Sequence, residues 1–404
     1  MMGNQFYRAQ SKKSCMILYG ATKRAIRIAV LLICILLSAC SSGPERAYDP
    51  RSASSICLPC FPDRDGWYGG DGAYSIRLDD RRVLWLFGDS FVSEEEGRLN
   101  RVGMKVVLGT TLATSTCTPD GVFHIRYWLK KKDGQFVSSF GEDEWLWPQD
   151  PFMADGMLYI PLVSIRANPE IKGPFKFEVL GHKIARIGHF EKEDPNRWPV
   201  DYVDVTPGIL DGVQAFATTS VVYGEHVYFY PLYSGAKDGR AVLGNILTRI
   251  PIRRLDDPAR AVEYLTTEGR WEQEPDHARV KVVLEAAVSE MSVRYHPDEG
   301  KWVAVYLSVR NNGDQMLCRK ADRLEGPWSE PEVLIGTIPE VDPNSPRYDR
   351  NTFCYAGKEH REFARGGNPV VTYVCNSHDD FEKDGSFIRR NLFLYRPVVR
   401  HLRH

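Results

Sequence analysis

The chain has 404 residues, of which 43% are hydrophobic, 26% charged and 11% aromatic. That supply of apolar side chains supports a sizeable core and excludes a disordered or collagen-like polymer. The formal net charge is −1, but six of the 52 Lys and Arg fall in residues 1–40 with no acid beside them, so the remainder is mildly acidic and a poor partner for nucleic acid.

Residues 28–37 (IAVLLICILL) form an unbroken apolar run preceded by Lys23, Arg24 and Arg27. A positive flank, a short apolar stretch and small residues at its end describe an export signal. Ten apolar residues do not span a bilayer, which takes about 20. Leu37-Ser38-Ala39-Cys40 resembles the lipobox of bacterial lipoproteins. That resemblance implies that residues 1–39 are a signal peptide and that Cys40 becomes the lipidated first residue. Ser41 follows Cys40 with no Asp there, similar to the pattern sent to the outer membrane. Contact with the membrane is expected through Cys40 only. Residues 40–56 are polar with Gly and Pro and read as a flexible tether.

Export places the remainder in an oxidising compartment. Beyond Cys40 the cysteines are 57, 60, 117, 318, 354 and 375. Cys57 and Cys60 form a CxxC. The stretch around it is Pro- and Gly-rich, so a local disulfide, or a bond to Cys117 or Cys318, is expected over redox chemistry. Cys354 and Cys375 lie on two strands of one hairpin and are placed to pair. No spacing resembles a zinc site, and neither a metal nor a cofactor is implied.

The body, residues 57–404, shows little helical periodicity. Runs rich in Val, Tyr, Phe, Trp and Thr, broken by Gly, Asp, Asn and Pro, are strand and hairpin chemistry. Five segments repeat one pattern: a short strand, a polar turn and an aromatic strand closing on Ser90, Ser164, Ser234, Ser308 and Ser377. A unit of about 70 residues suits a four-stranded sheet, and such sheets bury both faces when stacked radially. The expected fold is all-β, a five-bladed β-propeller; a pair of β-sandwiches is the alternative. Weaker pairs, such as 109–117 with 123–129, and 315–321, suit outer strands. Segments 166–200 and 335–350 are Pro- and charge-rich and read as connections or rim loops.

A propeller converges its repeats on one mouth. The first hairpin turns at 79–82, which brings Asp71 opposite residues 89–91. Asp71 and Asp89 then become neighbours, as acid-plus-base or acid-plus-nucleophile chemistry at a glycosidic bond requires. Capping of the hairpin end is the alternative role. The second repeat supplies Asp150 with Trp145 and Trp147 upstream, which suits a sugar subsite or core packing. The fourth supplies Glu290, and the fifth His360 and Asn376. These six are candidates for substrate binding or for tuning the acids. Motifs of serine hydrolases, nucleotide-binding loops and zinc proteases are absent.

The run LWLFGDSF (84–91), preceded by GGDGAYSI (69–76), together with YAGKEHREF (355–363) and VVTYVCNS (370–377), resembles the secreted bacterial propellers filed as domain of unknown function 4185. The resemblance spans most of residues 60–395 and departs at Arg361, where that family usually has Pro. It implies an endo-D-arabinanase-like fold with Asp71 and Asp89 as the catalytic carboxylates, and Asp150 and Glu290 as tuning or binding groups. The expected function is a surface-anchored, monomeric glycoside hydrolase on a furanose-containing polysaccharide. The competing expectation is a non-catalytic lipoprotein that binds glycan or protein at the same mouth.

Overall fold

The computed structural model describes residues 57–141, 143–171, 176–237, 240–364, 368–379 and 383–402. The signal, Cys40 and the tether lie outside these residues. The described chain is all-β, with short 3-10 turns and one four-residue α-helix, Phe387–Arg390. No described helix is long and apolar enough to cross a membrane.

Each of the five repeats forms the expected hairpin, and each hairpin founds its own sheet. Tyr74–Arg77 pairs with Val83–Phe87, and Thr111–Cys117 and Phe123–Trp128 follow as outer strands. Phe152–Ala154 pairs with the long strand Met157–Ala167. Ser220–Tyr223 pairs with His226–Phe229, Ser292–His296 with Lys301–Leu307, and Thr352–Glu359 with Val370–Ser377. Turn residues in left-handed backbone, such as Asp155 at φ 49°, close these hairpins, which explains the Asp and Gly at their tips.

The sheets close a circle. The first strands of repeats two, three, four and five touch in that order, and Arg77 Nη2 donates to the Glu362 carbonyl at 2.8 Å to join repeat one to repeat five. The core follows the same plan. Among the described residues the apolar side chains gather in five clusters, each shared by neighbouring sheets. One joins Phe152 and Tyr159 to Phe216 and Phe229; another joins Tyr228 and Tyr230 to Val293 and Tyr306. Trp85, fully buried between repeats one and five, keeps its indole N–H satisfied by Ser115 Oγ at 2.8 Å. Burying such a ring contributes roughly 25 cal/mol per Å² of apolar surface.

Two expectations change. Residues 166–200 are not simply a rim connection: Phe177–Ile187 is an 11-residue strand hydrogen-bonded along Met157–Ala167. Its edges are charged, which hid its alternation. Residues 213–284 carry a sheet outside the repeat plan, built from Val213–Ala215, Leu232–Lys237, Arg240–Ile246 and Val282–Leu284. Segment 335–350 is strand-free as expected except for Ile335, which ends the strand Glu332–Ile335. Lys130–Lys132 is an exposed edge strand of a two-stranded hairpin, with Lys131 on Glu94.

Cys354 pairs with Cys375 within the fifth hairpin. Cys57 bonds Cys117, not Cys60, which removes a CxxC redox couple. Cys318 is a buried free thiol.

Candidate functional site

Asp71 lies between two ladders that share one register. Gly70 pairs with Ser90 and Tyr74 with Leu86, so Asp71 faces Asp89 directly across the hairpin, as the turn position predicts. The Asp71 carbonyl accepts the amides of Ala73 and Gly88, both at 2.9 Å. Gly88 is required by contact: a Cβ there would lie 2.0 Å from Asp71 Oδ1.

Three walls meet at this pair. Tyr355, from the fifth hairpin, donates its hydroxyl to Asp71 Oδ2 at 2.9 Å, and Tyr395 does so at 3.2 Å. Trp145 and Trp147 donate their indole N–H groups to Asp89 Oδ1 at 2.8 and 2.9 Å, and the Gly109 amide joins them at 2.7 Å. Both tryptophans are therefore at the site, but through their ring edges. Glu290, partly exposed at the entrance of the fourth hairpin, adds its charge to the field at Asp71.

Burial, then the charges of Asp89 and Glu290, push the Asp71 carboxyl up to about 8, against the pull of the two tyrosine hydroxyls. Burial pushes Asp89 up to about 6, against its three donors. The two titrate as a pair, so near neutral pH the pair holds one proton. Asp71 is partly exposed, while Asp89 is buried.

Four non-glycine residues with left-handed backbone lie close in sequence to the site groups: Ala73, Ala287, Ala356 and Tyr395, at φ 52°, 55°, 56° and 53°. Each lies within three residues of a site group or is one. A left-handed residue costs roughly 1–2 kcal/mol, and such strain gathers where geometry serves a site.

The remaining candidates separate. Asp150, 2% exposed, is saturated: Thr219 Oγ1 donates at 2.9 Å, the Ser220 amide at 2.7 Å, and Arg294 Nη2 at 3.0 and 3.1 Å to its two oxygens. It ties repeats two, three and four at the ring centre. His360 is not brought to the acids. Ser75 Oγ meets its Nδ1 at 2.7 Å and Thr372 Oγ1 its Nε2 at 2.6 Å, under Trp85. Burial and the charges of Lys358 and Arg294 hold this imidazole well below its usual range, so it stays neutral and structural. Asn376 is buried on the second strand of the fifth hairpin, where its Oδ1 accepts the Ser377 amide at 2.7 Å. Arg361, the departure noted above, is exposed and donates to the Tyr295 carbonyl.

The sequence reading missed Tyr355, Tyr395, Lys358 and Arg294. Tyr355 sits in a strand and Tyr395 follows the apolar run 392–394, so both look like core. Lys358 and Arg294 lie on first strands of repeats, a position that alone singles out ring-centre residues. Among the described residues no group of three or more His, Cys, Asp or Glu could hold a metal ion.

The fold and site together define a ring of β-sheets that holds an electrostatically interacting carboxyl pair. Residues 60–402 match the family described as domain of unknown function 5005 (DUF5005), and the chain belongs to it. That is a different family from the one the motifs resemble. No curated protein matches the chain. Among solved structures, a protein from Bacteroides ovatus ATCC 8483 described as a "putative hydrolase" is 17% identical, over 83% of this chain and 86% of its own, with a TM-score of 0.58. It has the same fold. An α-L-arabinanase from Cellvibrio cellulosa complexed with arabinohexaose is 11% identical over 83% and 93%, TM-score 0.43. A GH43_1 enzyme from Xanthomonas citri complexed with xylose is 14% identical over 80% and 85%, TM-score 0.42.

Proposed function

We propose that this chain is a glycoside hydrolase on a five-bladed β-propeller, cutting a furanose-containing, arabinan-like polysaccharide, and that it is akin to the 4185 propellers. The observation that carries the reading is the Asp71–Asp89 pair: two acidic residues across from each other in one hairpin register and close enough to interact electrostatically, the first bound by two tyrosine hydroxyls and the second by three N–H donors. Glycosidic cleavage needs one carboxyl to protonate the leaving oxygen while another, ionised, serves as base or nucleophile. Asp71 takes the first role, since its carboxyl is the more strongly raised. Asp89 takes the second, since Trp145, Trp147 and the Gly109 amide favour its anion. Glu290 and Asn376 tune Asp71, Asp150 braces the ring centre, and the exposed parts of the two indoles flank the sugar. Removal of residues 1–39 and lipidation of Cys40 would hold the propeller as a monomer at the bacterial cell envelope, on the outer membrane.

The test is product release from a panel of furanose polysaccharides by wild type, Asp71→Asn and Asp89→Asn. A proton donor contributes typically 10²–10⁴-fold, so each variant is expected to lose at least a hundredfold with its fold intact. Glycan binding without cleavage, unchanged in both variants, would replace the hydrolase with a binding module.

A further inference from the structure

The strand Thr352–Glu359 breaks its own alternation. Ala356 is left-handed at φ 56°, and the register slips between Tyr355 and Lys358. This is a bulge, which re-aims side chains. Gly357 permits it by lying against the neighbouring sheet, where a Cβ would stand 2.5 Å from the Leu307 amide nitrogen. Residues three apart should point to opposite faces of a strand. Here both reach the segment that carries Asp71: Tyr355 binds the Asp71 carboxyl, and Lys358 Nζ binds the Gly72 carbonyl next to it.

Lys358 is 3% exposed. Its ammonium also donates to the Ala356 carbonyl at 3.0 Å and lies 4.4 Å from the Tyr74 ring centroid. Among the described residues it makes no ion pair. It nevertheless stands in the field of Glu290, Asp150 and Asp71, with His360 and Arg294 beyond. A buried ammonium without a paired carboxylate is costly. Burial pulls Lys358 down to about 8, against the attraction of those three acids.

We propose that Lys358 is a positioning residue for the Asp71 carboxyl: it ties the turn after Asp71 to the bulge after Tyr355, and its charge offsets the acids around the pair. This rests on Asp71 being the proton donor of the proposed reaction. The groups acting on Asp71 are Asp89, Glu290 and the Tyr355 and Tyr395 hydroxyls; Lys358, tied to the adjacent Gly72 carbonyl, stands in the field of Asp71, so removing it takes away a cation that opposes those carboxylates.

The test follows the Asp71 carboxyl by infrared titration, its band assigned by its loss in Asp71→Asn. Lys358→Gln keeps a donor for the Gly72 carbonyl and removes the charge. Lys358→Met removes both, and Lys358→Arg keeps the charge. Asp71 is expected to bind its proton at least tenfold more tightly in the Gln and Met variants, and close to wild type in the Arg variant. Should the Met variant not fold, the Gln variant carries the comparison. An Asp71 titration unmoved in folded Lys358→Gln overturns the proposal. The hydrolase reading fails separately, if wild type cleaves no glycan while the titration still responds to Lys358.

Discussion

Replacing Asp71 by Asn should stabilise the protein, and by more as the pH rises. The carboxyl sits at about 8 in the folded chain against an ordinary 3.8. Because the folded value lies above the unfolded one, the folded state holds an extra proton across that window. The stability linked to it is fully present below about 4 and is lost as pH rises towards 8. One pKa unit corresponds to about 1.4 kcal/mol, so a window of about four units sets an upper bound of roughly 5–6 kcal/mol. Asp89 shares the proton, which brings the expected effect to a few kcal/mol. Asn is neutral throughout and still accepts from Tyr355 and Tyr395. Urea unfolding of both proteins at pH 4.5, 6 and 8 reads the difference directly. The gap should be small at 4.5 and widest at 8. A gap that stays constant with pH would show that Asp71 ionises normally in the folded chain, and the acid assignment would fall with it.

Other outcomes are equally specific. Glycan release should follow a bell-shaped pH profile with limbs near the pair's values of about 6 and 8, and Trp145→Phe or Trp147→Phe should move the acidic limb upward by removing a donor from the Asp89 anion; a limb unmoved in both would refute that role. Arg101 is fully buried and donates to the carbonyls of Tyr68, Ile388, Asn391, Leu392 and Leu394. Arg101→Met strands all five acceptors, so a loss above about 4 kcal/mol is expected by urea unfolding, and a loss under about 1 kcal/mol would contradict the contacts. Cys57 and Cys117 close a loop across a sequence separation of 60. The loop-entropy model sets their double Ser variant roughly 4 kcal/mol less stable, checked by thermal unfolding with and without reductant.

Local chemistry made the hairpins readable. Asp and Gly at the tips and aromatic second strands announce each repeat, and the turn at 79–82 alone sets Asp71 across from Asp89. Cys354 and Cys375 were readable for the same reason. What escaped was everything delivered from a distance. Tyr395 reaches Asp71 through a C-terminal segment pinned by Arg101, and no spacing encodes that approach. Lys358 faces inward because a bulge cancels the two-residue period, which a pattern search takes for granted. Trp145 and Trp147 were legible as site residues, but their role turned on the direction of an N–H bond. His360 shows the opposite error: a polar cluster in sequence became a closed hydrogen-bond network under Trp85.

The two hydroxyls on Asp71 come from residues 355 and 395, and the carboxyl itself from the first repeat. During synthesis or export the acid therefore emerges early and its donors emerge last. A chain halted before residue 395 carries Asp71 without the Tyr395 hydroxyl, and one halted before residue 355 carries it without either donor. Chain order thus acts as a timer for the carboxyl: its set of donors is complete only when residues 355 and 395 have both been delivered.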